Sequence, residues 1–491
     1  MADTSIGTAE QMRDPNYTPP IYKAVPLGLQ HVLAMFVSNV TPAIIICGAA
    51  GIGFGSDQGA LGFPAMTYMI QMSMFFAGVA TLIQTIGLGP VGAKLPIVQG
   101  TSFAFIPIMI PLVAGKGEDA LAIVMGGVIV GGLFHAVLGL FIGKIRFALP
   151  PLVTGLVVMM IGLALVKVGI QYSAGGVPAI GKPEYGSLVN WTMAGTVIVV
   201  TLGLKFFARG MLSISAVVVG LAVGYVVAYA FGQVNFGNIG RAAEFALPNP
   251  MHFGVEFTVA AIIGFCLMSF VSAVETVGDV TGITRGGAGR EATDKEIQGA
   301  TFADGLGSAI AGVFGSLPNT SFSQNVGLIA MTGLMSRHVV TVGAIFLIVA
   351  GLVPKVGAVV STVPLQVLGG GVIVMFGMVA AAGLSMLSDV HWNSRNMIIF
   401  AVALTIGLGL QQVPDAFNVF YKMNDAGEFL LTGGGDKIIN TLGILMTSGL
   451  LPTAFIAIFL NLVLPEALAD DAEEEFVAHG VDGIKDNSSH K

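Results

Sequence analysis

Apolar runs of about 20 residues, separated by short polar loops, recur from residue 22 to residue 464, and nothing else in the chain limits its fold so strongly. A helix needs about 20 apolar residues to cross the roughly 30 Å of hydrocarbon in a bilayer. About fourteen such segments are visible, centred near residues 37, 76, 104, 131, 158, 199, 222, 267, 308, 328, 346, 375, 403 and 452. The pattern predicts an all-α integral membrane protein. Those near 104, 308 and 328 read as short and interrupted by Gly or Pro.

Charge supports this reading. Only 10% of the 491 residues are charged, against about 25% in a soluble domain. Fifteen of the 49 charges lie in residues 1–23 and 465–491, and these ends account for the whole net charge of −7. A neutral, apolar middle excludes a basic nucleic-acid binder and a disordered chain. Residues 1–23 are polar and include Pro15, Pro19 and Pro20, so no cleavable signal peptide is expected. The acidic run Asp470–Glu475 predicts a solvated, disordered end. Cys47 and Cys266 both lie inside apolar runs and read as packing residues. Gly51-Ile52-Gly53-Phe54-Gly55 has no strand before it and reads as a loop. No metal-ligand cluster or nucleophile–base pair stands in the spans, so no cofactor, metal or enzymatic chemistry is expected.

With a cytoplasmic N-terminus, fourteen basic residues fall inside, from Arg13 to Lys491, and seven fall outside. The positive-inside rule then puts both termini in the cytoplasm and requires an even number of spans. The halves also resemble each other. Thr101-Ser102-Phe103 recurs as Thr320-Ser321-Phe322, an offset of 219, and Gly155–Gly162 recurs as Gly370–Gly377, an offset of 215. Seven spans separate the paired elements, and an odd number inverts one repeat relative to the other. Inverted repeats with broken segments at matching positions point to a secondary transporter with its site near the midplane.

A carboxylate at the bilayer centre costs roughly 2.5–3.5 kcal/mol on insertion scales, so each one needs a reason. The apolar runs hold Glu275, Asp279, Asp304, His31, His135 and the pair Gln324-Asn325. Glu275 and Asp279 are four apart and share one helix face. They form either a structural pair or a site for substrate recognition and proton coupling. Asp304 is open to two readings, an anchor for a broken segment or a proton carrier. His31 is open to coupling or to a bond between helices, and His135 reads as structural. The stretch from Pro318 to Gly327 is the least membrane-like in the interior. It suits a strand leading into a half-helix at Gln324, whose backbone N–H groups and amides can read a planar solute. Phe103 and Phe322, at matching places in the two halves, either stack on such a solute or simply pack.

Gln324-Asn325-Val326-Gly327-Leu328-Ile329-Ala330-Met331-Thr332-Gly333 resembles the signature of the nucleobase–ascorbate transporter family, Gln/Glu-Asn-x-Gly-x4-Thr-Arg/Lys/Gly. Leu29–Phe36, Thr101–Phe105 and Glu275–Asp279 resemble the first, third and eighth spans of its bacterial uracil and xanthine permeases, and the likeness covers residues 22–465. The resemblance implies fourteen spans in two inverted seven-span repeats, with short strands in broken spans 3 and 10. It implies a cytoplasmic tail (1–21), core-domain halves (22–145 and 255–358), gate-domain halves (146–254 and 359–465) and an acidic tail (466–491). By matching position, Glu275 would accept bonds from ring N–H groups and Gln324 would make a second contact. Ser102, Phe103, Phe322, Ser323 and Asn325 would complete the site, and His31, Asp279 and Asp304 would couple or support it. Gln at 324, where uracil permeases carry Glu, resembles the xanthine and urate group, and Val326 occurs in urate-permease relatives. Ser102 would leave room for the extra oxo group of urate. The expected function is therefore proton-driven import of xanthine and/or urate by a homodimer in the cytoplasmic membrane, with Na⁺ left open as the coupling ion. Another nucleobase permease, or an anion transporter on the same fold, are the alternatives. If the subclass reading holds, Gln324→Glu weakens xanthine uptake at least tenfold relative to uracil in competition assays; unchanged selectivity would overturn it.

Overall fold

The computed structural model describes residues 7–52, 59–237, 239–413, 416 and 443–465. The acidic run and most of the Gly51–Gly55 loop lie outside these residues. The elements are helices α1 (Ile21–Ala50), α2 (Gly59–Ile86), strand β1 (Gln99–Thr101), α3 (Ile106–Val113), α4 (Leu121–Ile145), α5 (Pro151–Ala164), α6 (Val166–Ala174), α7 (Leu188–Phe207) and α8 (Ala216–Ala230). The chain continues with α9 (Val259–Ile283), α10 (Asp294–Val313), strand β2 (Asn319–Ser321), α11 (Ser323–Thr332), α12 (Arg337–Gly351), α13 (Pro354–Ser361), α14 (Leu365–Leu387), α15 (Ser394–Gln412) and α16 (Leu450–Val463). Among the described residues, eight helices are long and apolar enough to cross a bilayer, and α12 with α13, bent at 81°, forms a ninth candidate. This is a mostly helical, multi-pass membrane protein.

Local chemistry sets the helix starts. Thr258, Ser187 and Asn393 each accept the backbone N–H three residues on, and Thr293 with Glu296 forms a full capping box before α10. Pro151 opens α5 and Pro354 opens α13, where a missing N–H costs nothing.

The helices pack in two sets. In one, α10 lies along α4, α12 along α2, and α9 along α4; in the other, α5 and α6 lie along α14, α7 along α8, and α15 along α16. The seam between the sets runs where α9 meets α5 and α11 meets α14. Apolar residues such as Leu188, Phe206 and Phe207 on α7 face outward, as a hydrocarbon solvent permits.

One segment differs from expectation. The segment near 308 is one continuous 20-residue helix, α10. Its glycines do not break it; they let it touch α4, since a Cβ on Gly305 would collide with the backbone of Ala136 and Gly132. Residues 9–17 pack against the helices. Ala9–Arg13 form a capped turn, Met12 is buried against Ala24, Leu334 and Val339, and Met335 and Arg337 donate to the carbonyls of Met12 and Pro15. Cys47 is buried and Cys266 half-buried, and both are free thiols.

Overpacking a filled contact costs about 1–3 kcal/mol, and more where the obstacle is backbone. Gly305→Val is therefore expected to lower the detergent-solubilised Tm sharply, whereas Val at the open, uncrowded Gly195 of α7 leaves it unchanged. Equal Tm values would refute the close α4–α10 contact.

Candidate functional site

Three-residue strands inside a membrane protein have backbone groups that lipid cannot satisfy. Here they satisfy each other. Strands β1 and β2 pair antiparallel, Gln99 opposite Ser321, Gly100 opposite Thr320 and Thr101 opposite Asn319. Ser102 N donates to Pro318 O and Phe322 N to Val98 O, extending the ribbon at both ends. Because the strands run oppositely, α3 and α11 leave the ribbon from opposite ends; the start of α11, at Ser323 and Gln324, lines the cleft described below. Gly100 is required by the crossing, since a Cβ there would enter the Phe322 ring.

The helices clamp this ribbon with side chains. Asn39 of α1 accepts from Thr101 N at 2.9 Å and Thr101 Oγ1 at 3.2 Å, and Thr81 of α2 accepts from Gln99 N at 2.9 Å. Ser308 of α10 accepts from Asn319 N at 2.9 Å and donates to its carbonyl at 3.0 Å. Sequence reasoning missed Asn39, Thr81 and Ser308, small polar residues inside apolar runs.

Helix α9 carries a polar stripe at Ser272, Glu275, Thr276 and Asp279, the spacing of one helix face. Its members do different things. Ser272 Oγ bonds Thr320 Oγ1 at 3.1 Å. Asp279 accepts from Ser321 Oγ and Ser323 Oγ, both at 2.7 Å, and so fixes the β2–α11 junction. Asp304 accepts from Gln84 Nε2 at 2.7 Å, Gln99 Nε2 at 2.6 Å and Thr276 Oγ1 at 2.5 Å, joining α2, β1, α9 and α10. Glu275 differs from both: its Oε2 is buried with no hydrogen-bond partner.

Glu275 lines a narrow cleft together with Phe103, Phe322, Ser323, Gln324 and, from the other helix set, Ile161 and Val379. Five of the residues singled out from sequence thus meet. The cleft holds only about 10 Å³, roughly one water, so a planar solute fits only if its walls part. Phe103 also meets Phe376 of α14 edge-on at 5.2 Å between ring centres. Ser102 and Asn325 are buried beside the cleft and do not line it. Ser102 Oγ accepts from Ala104 N, and Asn325 Nδ2 reaches His31 Nδ1 and His31 O, both at 3.1 Å. His31 ties α1 to α11, while His135 is buried with its Nε2 unpartnered.

No group of three His, Cys, Asp or Glu with metal-binding geometry occurs among the described residues.

A family model described as a permease family matches residues 22–416. A Clostridium perfringens protein named as a candidate purine permease is 36% identical over 445 residues, 91% of each chain. The xanthine permease of Bacillus subtilis is 32% identical over 449 residues, 90% of this chain and 93% of that one. A uric acid permease of the same organism is 33% identical over 445 residues, 90% and 92%. Among solved structures, the transmembrane domain of a cyanobacterial bicarbonate transporter has a TM-score of 0.53 at 15% identity, covering 90% of this chain and 97% of that one. That likeness bears on the fold alone.

Removing the charge of Asp304 leaves three donors facing an amide. Asp304→Asn is expected to cost about 2–4 kcal/mol of stability, seen as a lower Tm in detergent. An unchanged Tm would mean that the three bonds do not hold the elements together.

Proposed function

Because this chain belongs to the nucleobase–ascorbate transporter family, we propose that it imports oxidised purines, xanthine and/or urate, across the cytoplasmic membrane with the proton gradient as driving force. Membership makes it a membrane transporter and not an enzyme. The substrate class is supported by the names of its relatives, xanthine permease and uric acid permease, and by Gln324 in the cleft.

One observation carries the mechanism: among the described residues, Glu275 is the one of the buried carboxylates Glu275, Asp279 and Asp304 that combines an unpartnered oxygen with a place on the cleft. Asp279 and Asp304 already accept two and three bonds, which supports a role for them in holding the ribbon and the helices around it. Ionised Glu275 can accept from ring N–H groups; protonated, it no longer carries a charge across the bilayer. Gln324 supplies both an amide donor and an acceptor, the N–H groups at the start of α11 supply further donors, and Phe103 and Phe322 supply flat faces. The same carboxylate would repel an anion, which disfavours the anion-transporter alternative.

We read the first helix set as the core and the second as the gate, with residue boundaries as the family resemblance implies. Counting β1–α3, α8, α10, β2–α11 and α16 as spans gives fourteen. In that count the fourth span packs on the ninth and the eleventh on the second, the exchange that an inverted seven-span repeat produces. Movement of core against gate would open the cleft to each side in turn, both termini remaining cytoplasmic, and the family's habit suggests a homodimer.

The test is uptake of radiolabelled xanthine in cells lacking their own purine permeases, with urate, hypoxanthine and uracil as competitors. Saturable uptake that urate blocks and a protonophore collapses supports the reading; uptake that needs Na⁺ and survives the protonophore overturns proton coupling. Glu275→Gln is expected to reduce uptake more than a hundredfold at normal membrane abundance. Retained uptake would remove Glu275 from the site.

A further inference from the structure

A cavity of about 410 Å³ lies beside the Glu275 cleft. Val277 and Thr281 of α9 form one wall, within two helical turns of Glu275, and Thr154 of α5 and Met386 of α14 form the other. This vestibule therefore lies along the seam between the two helix sets, and it is far roomier than the cleft it adjoins. By the positive-inside orientation it faces the cytoplasm.

Arg285, Glu291 and Asp389 also line it. Arg285 sits in a π-turn, Thr284–Ala288, that ends α9, and such turns re-aim a side chain relative to a regular helix. Its guanidinium makes two different attachments. Nε and Nη2 both reach Glu291 Oε1 at 2.8 Å, on the same wall and only six residues along the chain. Nη1 reaches Asp389 Oδ2 at 2.8 Å, 104 residues away and just beyond α14 on the opposite wall. The rigid fork of a guanidinium suits it to holding two carboxylates at once. The Arg285–Asp389 pair thus spans the vestibule.

We propose that Arg285 is a positioning residue of the transport cycle: its bond to Asp389 holds the vestibule walls at their present separation, and its bond to Glu291 stays with it when the walls shift. The proposal rests on the core-and-gate reading. With Glu291 in place the guanidinium keeps a partner in either arrangement, so leaving Asp389 forfeits one bond and strands no buried charge. Side chains of Arg285 and Asp389 are 40% and 56% exposed, so the pair biases the equilibrium only about two- to fivefold. A bias of that size suits a step that must reverse in every cycle. A fully buried pair would hold one state too strongly.

The experiment uses the full chain in inverted membrane vesicles, with Cys47 and Cys266 replaced by Ala and Thr281→Cys as a reporter in the vestibule wall. Labelling by a membrane-impermeant thiol reagent is followed with and without saturating xanthine. Asp389→Asn and Arg285→Gln are each expected to change the labelling rate two- to fivefold in the same direction. The exchanged pair, Arg285→Asp with Asp389→Arg, returns it to the parental rate. Single variants that label like the parent, or an exchanged pair that fails to restore the rate, overturn the proposal while a response to xanthine leaves the core-and-gate reading standing. Labelling that ignores xanthine in the parent and in every variant overturns both. Western blots and denatured-state labelling confirm equal amounts of reporter, so a variant that fails to fold is recognised, and Asp389→Ser then replaces it.

Discussion

The whole centre of this protein depends on two three-residue strands having no water to bond with. Backbone that leaves the helical path in a bilayer must find partners inside the protein, and β1 and β2 find most of theirs in one another. Everything around them serves that exchange. Asn39, Thr81 and Ser308 take up groups at the ribbon, while Asp279 and Asp304 gather hydroxyls and amides from the strands and the helices around them. The cost of non-helical backbone is offset by a polar knot, and the knot leaves the start of one short helix, α11, beside the cleft.

That arrangement explains how three carboxylates on two neighbouring helices come to have different duties. Glu275, Thr276 and Asp279 share a face of α9, yet that face is wide enough for each to meet a different neighbour. Asp279 looks to the start of α11, Thr276 draws in Asp304, and Glu275 looks into the seam between the helix sets. The two aspartates are satisfied within the protein, and Glu275 Oε2 has no partner at the cleft.

Much of this was legible in the sequence, for identifiable reasons. Long apolar runs announce spans without any tertiary information, and the polar stretch from Pro318 to Gly327 announces a break because no lipid-facing helix tolerates it. Gln324 and Ser323, singled out by the signature and the stretch before it, line the cleft. Two kinds of feature escaped. Gln84 and Gln99 bond Asp304 from more than 200 residues away, and no local pattern distinguishes them from other amides near span ends. Glycine in α10 was misread as interruption, because composition alone does not separate a helix that breaks from one that needs small residues to touch a neighbour. Ser102 and Asn325 belong to the same motifs yet do not line the cleft, since motif membership fixes position along the chain and leaves side-chain direction open. Arg285 counted only as an inside charge until Asp389 stood opposite it.

The pairing of Gly100 with Thr320 also bears on how such a chain is made. A ribosome completes β1 more than 200 residues before β2 exists, so the first half enters the bilayer with a strand whose partner has not been synthesised. Until the second half arrives, that strand must be held by the translocation machinery, by water or by a temporary neighbour. The ribbon thus links the two halves in time as well as in space: neither half can settle into its final form alone, and a chain cut short before Asn319 carries an unpaired edge that quality control can recognise.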